Sequence, residues 1–92
     1  MALVTVAITG VDHDAKLMWN GSPKPLGSSG AGNFGTSFDE KPGKVVYSIS
    51  VFGRQGDPWK ATVTDGTRTN RHAGHMSVAG SDGTGDTPFT VS

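Results

Sequence analysis

The sequence contains no cysteine, and only 17% of its residues are charged. The absence of cysteine excludes a disulfide framework and any zinc site built from thiolates. No apolar run approaches the roughly 18–20 residues that a membrane-spanning helix needs. Eight basic residues balance eight acidic ones, so the net charge provides no attraction to nucleic acid or to an anionic membrane surface. We therefore expect neither partner.

The first ten residues lack a basic segment, and Val and Thr alternate there. A secretory signal instead begins with positive charge and continues into an apolar run. We therefore expect a protein that is cytoplasmic, or that is secreted without a cleaved signal peptide. A chain of 92 residues has room for one modest hydrophobic core, which predicts a single β-sandwich domain over residues 1–92.

Alternation of apolar and polar residues is the main pattern along the chain. The alternating stretches are separated by Gly, Pro, Asn and Asp clusters, which is typical of half-buried strands joined by turns. The clearest strands are Leu3–Thr9, Lys44–Phe52 and Trp59–Thr64, and Ala15–Trp19 is a further strand candidate. We predict an all-β fold, a small antiparallel β-sandwich of immunoglobulin-like architecture with about six to eight short strands and no long helix.

The alternation also predicts which side chains face the core. We expect the apolar face of each clear strand to point inward: Val4, Val6, Ile8, Ala15, Leu17, Trp19, Val45, Tyr47, Ile49, Val51, Trp59, Ala61 and Val63. Asn20-Gly21 predicts a two-residue hairpin turn, since such a turn needs positive φ at both residues. We interpret Gly27–Gly35 and Gly80–Pro88 as loops, Thr36–Phe38 as a short strand and Thr67–Arg71 as a polar edge strand.

Two tryptophans stand beside turns. Trp19 is followed by Asn20, and Trp59 follows the turn that contains Asp57. An exposed indole at a loop rim can stack on a sugar while a neighbouring amide or carboxylate bonds the hydroxyls. These four residues are therefore candidate ligand-binding residues. The alternative, which is the more common position for Trp, is that the rings pack in the core.

A polar and mildly basic stretch follows the Asp65-Gly66 turn. Alternation places Arg68, Asn70 and His72 on one face of the predicted edge strand. A guanidinium beside an amide can bind a carboxylate or a sulfate, so Arg68 and Asn70 join the candidate ligand-binding residues. The alternative is an edge strand whose polar and charged residues protect it from aggregation.

The three histidines make up the candidate metal site. His72 and His75 are three positions apart, so a turn at Ala73-Gly74 could aim both imidazoles at one ion. Without that turn they face opposite sides of a strand. His13, which lies between two aspartates, is the candidate third ligand. We expect no cofactor, and a divalent metal held by these histidines is the alternative.

No catalytic motif accompanies these residues, so we expect no enzyme. The first hypothesis is a non-catalytic, lectin-like binding module that holds a glycan or protein ligand through loops at one end of the sandwich. The second is a structural protein that self-assembles into a homo-oligomer, with Leu3–Thr9 as an exposed terminal strand. The third is a metal-binding protein that uses His72 and His75.

Overall fold

The computed structural model describes residues 1–30 and 32–92, and the regular structure in these ranges is entirely β-strand. Ten strands occur there: β1 (Ala2–Thr9), β2 (Asp14–Trp19), β3 (Ser22–Lys24), β4 (Gly27–Ser28), β5 (Phe34–Glu40), β6 (Gly43–Phe52), β7 (Pro58–Thr64), β8 (Thr69–His75), β9 (Ser81–Gly83) and β10 (Thr87–Val91). The predicted all-β fold is confirmed. The number of strands exceeds the prediction because β3, β4 and β9 contain only two or three residues each. The described residues form no helix that is long and apolar enough to cross a membrane.

Two antiparallel sheets form the molecule. Sheet I has the strand order β4-β5-β1-β7-β8, and sheet II has the order β10-β6-β2-β3. β9 continues the β10 edge, because it pairs with the last residues of β6 while β10 pairs with the first. The inner faces of both sheets contribute to one hydrophobic core. This arrangement is the predicted small antiparallel β-sandwich.

The predicted inward faces of β1, β2, β6 and β7 are confirmed. Each of the thirteen residues expected in the core is at most 8% exposed. Successive side chains of a strand point to opposite faces, so an apolar residue at every second position is enough to define the buried side. Val11, Met76, Phe89 and Val91 complete the buried apolar set.

The turn between β2 and β3 has the predicted form. Asn20 has φ 52° and Gly21 has φ 84°, and Trp19 pairs with Ser22 across the turn. Positive φ at both central residues matches the right-handed twist of the flanking strands. β3 lies at the edge of sheet II and contains Pro23. Proline is tolerated at an edge because it has no backbone N–H to donate to a neighbouring strand.

Three segments differ from their predictions. β5 is longer than Thr36–Phe38, since the chain pairs along β1 from Phe34 onward. The predicted loop Gly27–Gly35 contains β4 and the first residues of β5, and position 31 of that segment lies outside the described residues. The predicted loop Gly80–Pro88 contains β9 and the start of β10. β4 and β9 contain only two or three residues, and β5 has apolar side chains only at Phe34 and Phe38, so alternation gives little signal there.

β8 also differs from its prediction. It spans Thr69–His75 and not Thr67–Arg71, although it is an edge strand as expected. Its inward positions are Asn70, His72 and Gly74, which are less exposed than the residues between them. These positions are polar or lack a side chain, so no apolar periodicity indicates that the strand continues.

β1 occupies the centre of sheet I. It pairs with β5 along one side and with β7 along the other. β5 covers one edge of this strand and β7 covers the other. β1 therefore has no free edge for pairing with a second copy, although its outward face is exposed at Leu3, Ala7 and Thr9.

The Asp65 carboxylate ties the β7–β8 turn to the end of β10. Its Oδ1 accepts hydrogen bonds from the backbone N–H groups of Arg68 (2.7 Å) and Thr67 (2.9 Å), and its Oδ2 accepts one from the N–H of Ser92 (2.8 Å). These hydrogen bonds, the one from Arg68 foremost, hold the pKa of this carboxyl well below its usual range.

The Asp65 contacts predict a loss of stability in acid. Because the folded-state pKa is lower than the unfolded value of about 3.9, the carboxylate stabilises the fold fully above that pH. The stabilisation is lost as the pH falls from about 4 toward the folded-state pKa. Asp65→Asn should lower Tm at pH 7 and flatten its acid dependence. Thermal melts between about pH 2 and 7 check this, with exposed Asp39→Asn as the control; identical profiles for the two variants would contradict it.

Candidate functional site

Both tryptophans are buried, which corrects the hypothesis of an exposed sugar-stacking indole. Trp19 is 2% exposed and Trp59 is 3% exposed. The Nε1–H of Trp19 donates to Glu40 Oε2 at 2.6 Å, and that of Trp59 donates to Asp82 Oδ2 at 2.8 Å. A ring with no accessible face cannot stack on a sugar. The two indoles therefore belong to the core, where each has a carboxylate partner at its rim.

Trp19 belongs to an aromatic cluster between the sheets. Its ring stacks on Tyr47 with the centroids 5.8 Å apart, and it meets the edge of Phe38 at 5.0 Å. Phe89 lies 6.3 Å from Trp19 and 6.4 Å from Tyr47. Such pairs add stability beyond the area they bury, so this cluster holds β2, β5, β6 and β10 together.

The phenol of Tyr47 is the centre of a polar network inside the sandwich. Asn70 Nδ2 donates to Tyr47 Oη at 3.1 Å, and Tyr47 Oη lies 2.6 Å from His72 Nε2. Burial raises the pKa of the Tyr47 phenol, although the hydrogen bond from Asn70 opposes this. Burial also lowers the pKa of the His72 imidazole. Both shifts favour neutral side chains, so the neutral phenol can donate to the neutral imidazole.

The histidines do not converge in this structure. β8 continues without a turn through Ala73-Gly74, so His72 faces inward toward Tyr47 while His75 is exposed on the opposite side. The turn that the metal hypothesis requires is therefore absent. Within residues 1–30 and 32–92, no three His, Asp or Glu side chains form a group that could hold a metal ion.

The remaining candidate ligand-binding residues lie apart. Asp57 precedes β7 and Arg68 follows it, so these two lie at opposite ends of the sandwich. Exposed Asn20 lies in the β2–β3 turn at the Arg68 end. Asn70 points inward and bonds Tyr47. The prediction that these residues share a ligand site at one end of the sandwich therefore does not match their positions.

Sheet II has an apolar strip on its outer face, which sequence reasoning missed. Four exposed apolar residues lie there, one on each strand of the β10-β6-β2-β3 order: Pro88, Val46, Met18 and Pro23. Val46 pairs with Pro88, and Met18 pairs with Pro23. Met18 is 41% exposed and Val46 is 47% exposed. The signal was available in the sequence, because alternation places Met18 and Val46 on the outward faces of β2 and β6.

Two open grooves adjoin Met18. One has a volume of about 310 Å³ and is lined by Met18, Asn20, Gly21, Val46, Ser48 and Asp86. The other has a volume of about 460 Å³, and Lys16, Pro23, Lys24 and Leu26 contribute to its lining together with Met18. Met18 therefore forms a ridge between two depressions.

The polar groups around the apolar strip have opposite charges at its two ends. The carboxylate of Asp86 and the amide of Asn20 border the groove on the Val46 side. Lys16, which is exposed on the same outward face of β2 as Met18, borders the groove on the Pro23 side. The Lys24 ammonium instead lies 4.5 Å from the centroid of the Phe38 ring. An apolar centre with charges at its margin is the usual composition of a protein-binding surface. Comparison with protein-family models, with curated proteins and with solved structures finds no match to this chain.

Proposed function

We propose that the protein is a non-catalytic β-sandwich module that binds a segment of another protein along the apolar strip of sheet II. The observation that carries this proposal is the row of exposed Pro88, Val46, Met18 and Pro23 across four of the five strands of sheet II, β10, β6, β2 and β3. Removing such side chains from water on binding supplies the driving force. Methionine suits this role because its flexible, polarisable side chain adapts to different partners.

A protein ligand fits the strip better than a glycan. Sugar recognition relies on a flat aromatic face, and both indoles are buried. Aliphatic side chains and prolines accept apolar side chains of a partner, and the two grooves beside Met18 provide space for them. The charges favour a segment with a basic residue near Asp86 and an acidic residue near Lys16.

The test is selection of peptides from a displayed library of random twelve-residue sequences on the immobilised protein. Binding of the selected peptides is then measured for the wild type, Met18→Glu and Val46→Glu. We expect each substitution to weaken binding by about tenfold or more, since a charge replaces an apolar contact at the centre of the surface. Amide chemical shifts should change along β2 and β6 when a selected peptide is added.

Leu3→Glu is the matched control. Leu3 is 57% exposed on the outer face of sheet I, so the same substitution there should leave peptide affinity unchanged. The proposal is wrong if no sequence is enriched, or if the enriched peptides bind Met18→Glu as tightly as the wild type. Shift changes confined to the loops at either end would assign the binding surface to those loops instead.

A further inference from the structure

The edges of the two sheets differ in how well they are protected from pairing with another strand. β4 has only two residues. β3 has three residues, of which one is Pro23 and another is Lys24. The β9–β10 edge is interrupted between Gly83 and Thr87, and β10 contains Pro88. Short strands, prolines and interruptions are the usual means of preventing edge-to-edge association.

β8 lacks all three of these features. It is seven residues long, uninterrupted and free of proline, and Arg71 is its only permanent charge. It pairs with β7 on one side, and among the described residues no strand pairs with its other side. A strand of this length with a free edge is a template for another strand.

The backbone hydrogen bonds show which groups of β8 are free. The N–H of Met76 donates to Asp57 O at 2.9 Å, and the N–H of Asp65 donates to Arg68 O at 3.2 Å. Both pairs lie in the register that joins β7 to β8. Hydrogen-bonded pairs alternate along an antiparallel ladder, so the even-numbered residues of β8 bond β7. The N–H and C=O groups of Thr69, Arg71, Ala73 and His75 therefore point away from the sheet.

We propose that β8 pairs with β8 of a second copy of this chain, antiparallel and about a two-fold axis at His72. In this register Thr69 lies opposite the second copy's His75, and Arg71 lies opposite its Ala73. All four residues with outward backbone groups then form hydrogen-bonded pairs, and the two copies of sheet I become one continuous sheet. An isologous contact of this kind closes the assembly as a dimer.

Charge and side-chain direction both select this register. A shift by one residue would place outward side chains opposite inward ones, because the side-chain period of a strand is two. A two-fold axis at Arg71 would place the two guanidinium groups opposite each other, and like charges in that position are unfavourable. An axis at His72 keeps Arg71 opposite a small neutral residue and uses the full length of β8. The dimer leaves the outer face of sheet II open, so this inference is independent of the proposed peptide binding.

Charge substitutions at Ala73 test the pairing and its register together. In the proposed dimer each residue 73 faces Arg71 of the other copy, and there are two such contacts. We expect Ala73→Glu to tighten the dimer by about tenfold and Ala73→Lys to weaken it by about tenfold. Sedimentation equilibrium up to about 1 mM protein measures the dissociation constant for each variant and for the wild type.

Ala7→Glu and Ala7→Lys are the matched controls, because Ala7 is exposed on the same outer face but lies on the central strand β1. They should leave the dissociation constant unchanged. Amide hydrogen exchange should slow at Arg71 and Ala73 as the protein concentration rises. The pairing is overturned if the wild type and Ala73→Glu both remain monomeric, if all variants dimerise equally, or if the Ala7 variants alone change the dissociation constant.

Discussion

Trp59→Ala is expected to lower the free energy of unfolding by about 3–5 kcal/mol. The ring is 3% exposed, so its removal leaves a cavity in the core. The Asp82 carboxylate also loses the indole N–H that donates to it at 2.8 Å. A domain of this size has a total stability of about 5–14 kcal/mol, so the variant should be close to unfolded at 37 °C. Urea unfolding measures the change.

Two further variants separate the cavity from the hydrogen bond. Trp59→Phe keeps an aromatic ring but removes the donor, so it should cost about 1–3 kcal/mol. A double-mutant cycle of Trp59→Phe with Asp82→Ala measures the coupling between the two side chains. Val78→Ala is the surface control, since Val78 is 83% exposed. A loss for Trp59→Ala no larger than for Val78→Ala would contradict the buried position of this indole.

Gly10→Ala is expected to lower the free energy of unfolding by about 2–4 kcal/mol. Gly10 has φ +83°, where a side chain is strained. A Cβ at this position would also overlap the carbonyl oxygen of Pro58 and would lie 3.1 Å from the Cα of Trp59. Backbone cannot move aside as a flexible side chain can, so β1 and β7 would have to separate locally.

Gly56→Ala is the matched control for this effect. Gly56 also has φ +83°, but a Cβ there would meet no atom within 4 Å. Only the conformational strain remains, and it should cost about 1–2 kcal/mol. The difference between the two variants, measured by urea unfolding, isolates the close approach to Pro58. Equal losses for Gly10→Ala and Gly56→Ala would contradict a steric contribution at Gly10.

The buried faces of β1, β2, β6 and β7 could be predicted because each has an apolar residue at every second position. Val4, Val6 and Ile8 are the simplest example, and all three are at most 1% exposed. Asn20-Gly21 was equally informative, since few other pairs adopt positive φ at both residues. In these segments the local pattern agrees with the tertiary environment.

β8 could not be predicted over its full length because its inward residues are not apolar. They fit hydrogen bonds and close contacts with particular side chains on other strands. Asn70 and His72 face inward because Tyr47 Oη bonds both side chains. Position 74 also faces inward, and it is occupied by glycine because a Cβ there would lie 3.0 Å from Trp59 Nε1 and would overlap the Asp82 carboxylate. Hydrophobic alternation cannot indicate such positions, since they are defined by side chains on other strands, such as Tyr47 on β6 and Trp59 on β7.

The all-β class, the main strands, their buried faces and the hairpin turn can be predicted from the sequence, because these features depend on a period of two and on the conformations of single residues. The tertiary structure establishes which strands lie at edges, which carboxylates receive the two indole N–H groups, and that Met18 and Val46 share one exposed strip. The physical reason is that strand order and register bring together residues far apart in the chain, whereas alternation describes only the chain's own two faces.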